Sequence, residues 1–145
     1  MSINYEAIRE LQQHIGAANK AKGFHDDRGL LRIIGKVGER HYWMSRLSLI
    51  TTEVAEAIEE VRKGRAINET YYSGGQPLEP GSLTEDDAVD DFGNPRKPEG
   101  VPSELADVVI RALDLAEEAS IDLASMVEEK LAFNATRAFK HGKKA

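Results

Sequence analysis

The sequence predicts an all-α protein, a bundle of four main helices with a long irregular insertion between the second and the third. Apolar residues recur at three- and four-residue intervals in four separate segments, which is the period of an α-helix. No segment shows the alternation of apolar and polar residues that is typical of a half-buried strand. The length of 145 residues, with 41% hydrophobic and 30% charged residues, suits one globular domain spanning 1–145.

The first half of the chain supplies two of the four helices. The first is predicted over 4–20, with Asn4 as its N-cap and Gly23 ending it. The segment LLRIIGKVG should form only a short helix or a bend, because it contains two glycines. The second main helix is predicted over 40–63 and Gly64 suits its C-cap. Its apolar stripe, which we expect to face the core, consists of Leu47, Ile50, Val54, Ile58 and Val61.

Residues 65–101 differ in character from the rest of the chain. They hold four of the five prolines, several Gly and Asn residues and a run of acids, so little of the segment can be helix or strand. A long irregular insertion in a compact domain is usually a lid, a binding loop or partly disordered, and this one could cover the site or contact a partner. The composition does not choose between these roles.

The last two helices follow the insertion. The third begins at Pro102 or Ser103 and continues to about Ala119, since proline suits the first helical turn. Asp122 is the expected N-cap of the fourth, which is predicted over 123–139. The apolar stripe of the third helix is Leu105, Val108, Val109, Ala112, Leu115 and Ala116.

Two acidic pairs, Glu53-x-x-Glu56 and Glu104-x-x-Asp107, are the main functional signal. Carboxylates at i and i+3 share one helix face, and both pairs lie beside the apolar stripe of their helix. Two such helices packed together could hold a hard divalent cation such as Mg²⁺ among oxygen ligands. The alternative is a solvated acidic face, with Glu104 and Asp107 complementing the helix dipole.

Candidate substrate contacts come from the fourth helix and from the only tryptophan. Lys130, Asn134 and Arg137 are spaced by four and three, so they should line one face and could bind phosphate groups near a metal. The alternative is a basic helix end that interacts with its own dipole. Trp43 could stack on a nucleobase, although a single tryptophan is more often an anchor of the core.

Composition excludes several other classes. The net charge of −6 and the sequence pI of about 5.3 argue against a stable nucleic-acid partner and against adhesion to membranes. The absence of cysteine excludes disulfides and thiolate metal sites. The N-terminal residues lack the apolar core of a signal peptide, and no apolar run is long enough to span a membrane, so we expect a cytoplasmic protein.

The ordered set of motifs resembles the MazG-like all-α nucleoside triphosphate pyrophosphohydrolases. The resemblance is closest across KPEGVPSELADVVIRALDLA and KLAFNATRAFKHGKK. It implies Mg²⁺- or Mn²⁺-dependent hydrolysis of nucleoside triphosphates, dNTPs or non-standard NTPs, to the monophosphate and pyrophosphate. It further implies assembly as a homodimer or homotetramer. The implied metal ligands are Glu53, Glu56, Glu104 and Asp107; Glu53 and Glu56 would also be catalytic, and Lys130, Asn134, Arg137 and Trp43 would contact the substrate.

One departure from the family pattern keeps a second function open. The family often has Glu-Glu-x-x-Glu, and here Thr52 stands at the first position. A ligand or water-orienting base is then missing, or its role shifts to Glu60 or Asp114. The alternative function is a non-catalytic helical interaction module that kept the fold and lost activity. A nucleic-acid binder using the basic C-terminal tail is a weaker third possibility.

Overall fold

The structure, a computed structural model, describes residues 4–73 and 88–137. Helix makes up 68% of it, so the prediction of an all-α class is confirmed. The elements in chain order are α1 Glu6–Ala21, α2 Asp27–Arg32, α3 Lys36–Arg62, β1 Tyr71–Tyr72, β2 Pro98–Glu99, α4 Val101–Glu118 and α5 Leu123–Ala135. The two strands, which the sequence did not predict, form a single antiparallel pair with Tyr71 opposite Glu99.

The predicted cap at Asp122 and the predicted stop at Gly64 are observed, whereas the N-cap of α1 is Tyr5 and not Asn4, which lies one residue earlier. The Asn4 side chain accepts a hydrogen bond from the backbone N–H of Glu6 in the first turn of α1, at 3.1 Å. The Asp122 carboxylate accepts one from the backbone N–H of Ser125 at the start of α5, also at 3.1 Å. Gly64 follows α3 with a φ of 85°, a left-handed conformation that a glycine adopts without steric cost.

Two helix ends differ from the prediction. The second main helix, α3, begins at Lys36, four residues before the predicted start. The chain breaks at Gly35, which has a φ of 70°, and the next glycine, Gly38, lies inside the helix. The helix α5 ends at Ala135, with Thr136 as its C-cap, and not at 139. Arg137 therefore lies in the turn after the helix, and 138–145 are outside the described residues.

The chain divides into two compact units. The first contains α1, α2, the end of α4 from Leu113 onward, and α5, and in it α1 packs on α5. Arg9 on α1 donates hydrogen bonds to the Asp122 carboxylate at 3.2 Å and to the Ser125 hydroxyl at 2.9 Å. These contacts tie the first helix to the start of the last one.

The second unit contains α3, both strands and α4 as far as Ala112. Gly100 joins β2 to α4 with a φ of 98°, and a Cβ at this position would lie 2.4 Å from the carbonyl oxygen of Glu69. The Tyr71 hydroxyl on β1 donates to Glu60 on α3 at 2.9 Å. The strand pair is thus held against the end of α3 immediately before α4 begins.

The predicted burial of α3 is wrong. Most of its apolar stripe is exposed: Val54 is 43% exposed, and Leu47 and Ile58 are 54% and 55% exposed. The buried face instead carries two carboxylates, Glu53 and Glu60, at 4% and 6% exposure. Each has a cationic partner, which offsets part of the energetic cost of burying its charge.

Candidate metal centre

Three of the four predicted metal ligands converge in the second unit. Glu53 comes from the middle of α3, and Glu104 and Asp107 come from the first two turns of α4. One carboxylate oxygen from each lies within 4.8 Å of the others. Glu53 and Glu104 are buried, at 4% and 3% exposure, and Asp107 is half-buried. Burial distinguishes this group from an ordinary solvated acidic face.

The start of α4 positions two of these carboxylates. The backbone N–H of Glu104 donates to the Gly100 carbonyl at 3.2 Å, and the Ser103 hydroxyl donates to the Pro98 carbonyl at 2.9 Å. These bonds fix the first turn against β2. Asp107 follows Glu104 by three residues, so both side chains point to the same side of the helix, toward Glu53.

The electrostatics of the centre are those of crowded like charges. Burial raises the pKa of Glu104, and the nearby charges of Glu56, Glu53 and Asp107 raise it further. Lys97 acts in the opposite direction and lowers the pKa of Glu104. The carboxylate charge at this point is therefore unfavourable in the protein alone, and a cation bound there would relieve it.

Glu56 and Thr52 lie outside the three-residue group. Glu56 is exposed, and although its charge acts on Glu104, it contributes no ligand atom to the cluster. Thr52 is exposed and its hydroxyl donates to the Leu49 carbonyl of its own helix at 2.7 Å. The predicted four-carboxylate set is thus observed as three converging carboxylates with a fourth at the exposed edge.

The two residues considered as substitutes for a missing base are engaged elsewhere. Glu60 accepts hydrogen bonds from Lys63 at 2.7 Å and from Tyr71 at 2.9 Å, and these contacts lower its pKa. The Asp114 carboxylate lies 2.9 Å from Nε2 of His25 in the first unit. Neither belongs to the metal group.

The predicted substrate residues lie on α3 and at the end of α5. Lys130 and Asn134 are exposed on α5, and Arg137 is exposed just beyond its end. The Lys130 and Arg137 cations lie 5.8 and 6.0 Å from the centre of the Phe133 ring. Trp43 is half-buried on α3 and packs edge-to-face on the Tyr42 ring, with centroids 5.1 Å apart. The polar side chains at the end of α5 and part of the Trp43 ring are therefore accessible to a ligand.

Sequence reasoning missed two cations at the centre. Nε of Arg111 donates to Oε1 of Glu53 at 2.5 Å, and Lys97 acts on Glu104 through its charge while its ammonium donates to Glu99 at 2.9 Å. The sequence could have indicated Arg111, because it follows Asp107 by four residues and so lies on the same face of α4. No sequence pattern indicates Lys97, since it precedes the helix in an irregular segment.

Comparisons of the chain with family models, curated proteins and solved structures found no match in any of the three. Within the described ranges, no helix has both the length and the apolar character needed to cross a membrane. The functional assignment therefore depends on the residues of the site itself.

Proposed function

We propose that this chain is a Mg²⁺-dependent nucleoside triphosphate pyrophosphohydrolase with a helical bundle of the MazG-like type. The observation that carries the proposal is the convergence of Glu53, Glu104 and Asp107, whose carboxylate oxygens come within 4.8 Å of one another. A hard divalent cation prefers such an all-oxygen donor set. Two carboxylates buried this close together are costly unless a cation compensates them.

The residues of the centre fit such an ion, and Glu53, Glu104 and Asp107 would hold it. Bound there, Mg²⁺ would polarise a phosphoryl oxygen and compensate the charge of the triphosphate; Mn²⁺ would serve equally. Glu56 lies one turn from Glu53 at the exposed edge, so it is the side chain best suited to accept a proton from the attacking water. Water adds to the α-phosphorus, the bond to the bridging oxygen breaks, and the monophosphate and pyrophosphate leave.

The exposed cations of the first unit support the phosphate part of the proposal. Lys130 and Arg137 flank Phe133, and Asn134 lies between them in the sequence. Lys and Arg side chains make strong, charge-assisted hydrogen bonds to phosphate oxygens, and an amide can donate to the same groups. These three side chains are therefore the proposed phosphate contacts. The proposed substrates are dNTPs or non-standard NTPs in the cytoplasm.

The proposal is tested by neutralising one ligand without changing its shape. Asp107→Asn should abolish pyrophosphate release from a panel of canonical and modified nucleotides in Mg²⁺, because the amide cannot replace the anionic ligand. Glu59→Gln is the matched control, since Glu59 lies on the same helix as Glu53 but pairs with Arg62 at the surface. Undiminished turnover in Asp107→Asn, with unchanged helicity by circular dichroism, would exclude this centre.

The second candidate function is a helical interaction module without catalysis, and Thr52 is the observation that favours it. Its hydroxyl is bonded to the backbone of its own helix, so it does not replace a missing carboxylate. A module of this kind gains no thermal stability from Mg²⁺ with a non-hydrolysable nucleotide. The enzyme should be stabilised by the same addition, because a ligand that binds only the folded state raises the melting temperature.

The exposed apolar surface supports assembly of two or more copies. We define the α3–α4 apolar face as Val37, Met44, Leu47, Val54, Ile58, Val61, Leu105 and Val109, all between 43% and 58% exposed. Side chains from both helices line a shared groove of about 300 Å³. From Val37 to Val61 the face is about 36 Å long, and at the width of one helix, about 10 Å, α3 alone offers about 360 Å². Leu105 and Val109 of α4 widen it, so the face is about half of the roughly 800 Å² that each partner buries in a standard interface.

A second copy of this chain is the proposed cover for the face, which makes the protein a homodimer or, through a further contact, a homotetramer. Ile58→Asp should shift the mass in sedimentation equilibrium to that of the monomer, because the charge would be buried without a partner. Met126→Asp is the control, since Met126 is 44% exposed on α5 and outside the face. A wild-type protein that is monomeric at all concentrations would refute this assembly.

A further inference from the structure

Arg111 makes a direct ion pair with one of the proposed metal ligands. It follows Asp107 by four residues and Glu104 by seven, so it shares their face of α4. Its Nε donates to Oε1 of Glu53 at 2.5 Å, across the gap between α4 and α3. The Glu53 side chain is 5% exposed, whereas that of Arg111 is 39% exposed. The cation therefore reaches the buried carboxylate from the solvent side.

This position gives Arg111 two opposite effects on the centre. In the protein without metal, its guanidinium compensates the charge of Glu53, which is otherwise surrounded by the carboxylates of Glu104 and Asp107. When a divalent cation binds, the same guanidinium is a like charge a few ångströms away and a competitor for the electron pairs of Glu53. One contact thus stabilises the metal-free state and opposes the metal-bound state.

We propose that Arg111 is an internal counter-ion that competes with the divalent cation for Glu53 and so sets the metal affinity of the centre. This inference rests on the proposed function, because it needs the three-carboxylate centre to bind a metal. Arg111 acts through Glu53 and is a positioning residue rather than a catalytic one. It stabilises the metal-free protein, and binding of the ion then replaces one cation beside Glu53 by another.

A purely structural ion pair between α3 and α4 predicts a different pattern. If the contact only held the helices together, removing it would lower both the stability and the metal affinity, because the ligands would become less well positioned. Competition predicts changes of opposite sign, with lower stability in a chelator and tighter metal binding. The two explanations are therefore separated by measuring both quantities in one variant.

The test uses Arg111→Met, which keeps much of the side-chain length and removes the charge, with Arg111→Gln as a second variant should the first fold poorly. Mn²⁺ affinity is measured without nucleotide from the free-ion signal in electron paramagnetic resonance, and stability from urea unfolding in a chelator. We expect Mn²⁺ to bind about tenfold more tightly or better, with a lower unfolding midpoint in the chelator. Arg62→Met, which removes an arginine paired at the surface with Glu59, is the matched control and should change neither quantity.

The outcomes separate this inference from the proposed function. If the wild-type protein binds Mn²⁺ and both Arg111 variants bind it with equal or lower affinity, Arg111 is only a structural contact and the inference is overturned. If neither the wild-type protein nor any variant binds Mn²⁺, the metal centre fails, and the inference fails with it. If the Arg111 variants bind Mn²⁺ more tightly than the wild type, and adding Asp107→Asn to them abolishes that binding, both the inference and the metal centre are supported.

Discussion

Glu104→Gln should stabilise the metal-free protein while destroying its metal site. Glu104 is 3% exposed, and its carboxylate lies within 4.8 Å of those of Glu53 and Asp107. At this distance each like-charge contact costs about 3 kcal/mol with an effective dielectric constant of 20. The charge of Lys97 offsets part of this cost at Glu104, and Arg111 compensates the neighbouring Glu53. The amide is nearly isosteric and can donate to the remaining carboxylates, so we expect a net gain of about 1 kcal/mol in the free energy of unfolding.

The assay is urea unfolding at pH 7, first with a chelator and then with increasing Mg²⁺. The wild-type protein should gain stability with each addition, by about 2.7 kcal/mol when the ion is at 100 times its dissociation constant. Glu104→Gln should start more stable and gain almost nothing. Glu59→Gln should behave like the wild type in both conditions. A Glu104→Gln protein that is less stable in the chelator, or that gains as much from Mg²⁺ as the wild type, would refute this account of the centre.

Three further predictions concern the parts of the fold that support the site. Tyr71→Phe should lower the free energy of unfolding by about 1.5 kcal/mol in urea titrations, because the buried Glu60 loses a hydrogen bond to its charged carboxylate. Gly100→Ala should cost about 3 kcal/mol in the same assay, since its φ of 98° is strained for alanine and the new Cβ would meet the carbonyl of Glu69; a variant as stable as the wild type would contradict the close approach. The pKa of Asp122 is lowered to about 2 by Ser125 and Arg9, so its contribution to stability is complete above its unfolded pKa and is lost as the pH falls toward 2. The stability difference between wild type and Asp122→Ala should therefore shrink between pH 4 and pH 2 in thermal melts, and a constant difference would count against this hydrogen-bonded cap.

The local features of the fold were predictable from the sequence because they depend on neighbouring residues. The cap at Asp122 and the stop at Gly64 are one-residue signals with a direct backbone consequence, whereas Asn4 bonds to the first turn of α1 from one residue before its N-cap, Tyr5. The two short strands were not predictable, since each has only two residues and forms only through pairing with a distant segment. The acidic pairs predicted that carboxylates of the two helices would lie together, and three of the four do, whereas Glu56 is exposed and contributes no atom to the group.

The burial of α3 could not be predicted from its pattern of apolar residues. Hydrophobic periodicity identifies the face that avoids water, but it does not say whether this chain or another copy covers that face. Leu47 and Ile58 follow the expected stripe and remain exposed in the single chain. Glu53 and Glu60 also have partners 58 and 11 residues away in the sequence, Arg111 and Tyr71, and the sequence of α3 alone does not indicate these pairings.

The most direct test of the proposed function is to identify the products of the reaction by ³¹P nuclear magnetic resonance. Wild-type protein with Mg²⁺ and a nucleoside triphosphate should yield the monophosphate and pyrophosphate in equal amounts, with no diphosphate or orthophosphate. Chelation of the metal or the substitution Asp107→Asn should stop the reaction. Formation of the diphosphate and orthophosphate, or unchanged turnover in Asp107→Asn, would contradict the assignment of Glu53, Glu104 and Asp107 as the metal centre of a pyrophosphohydrolase.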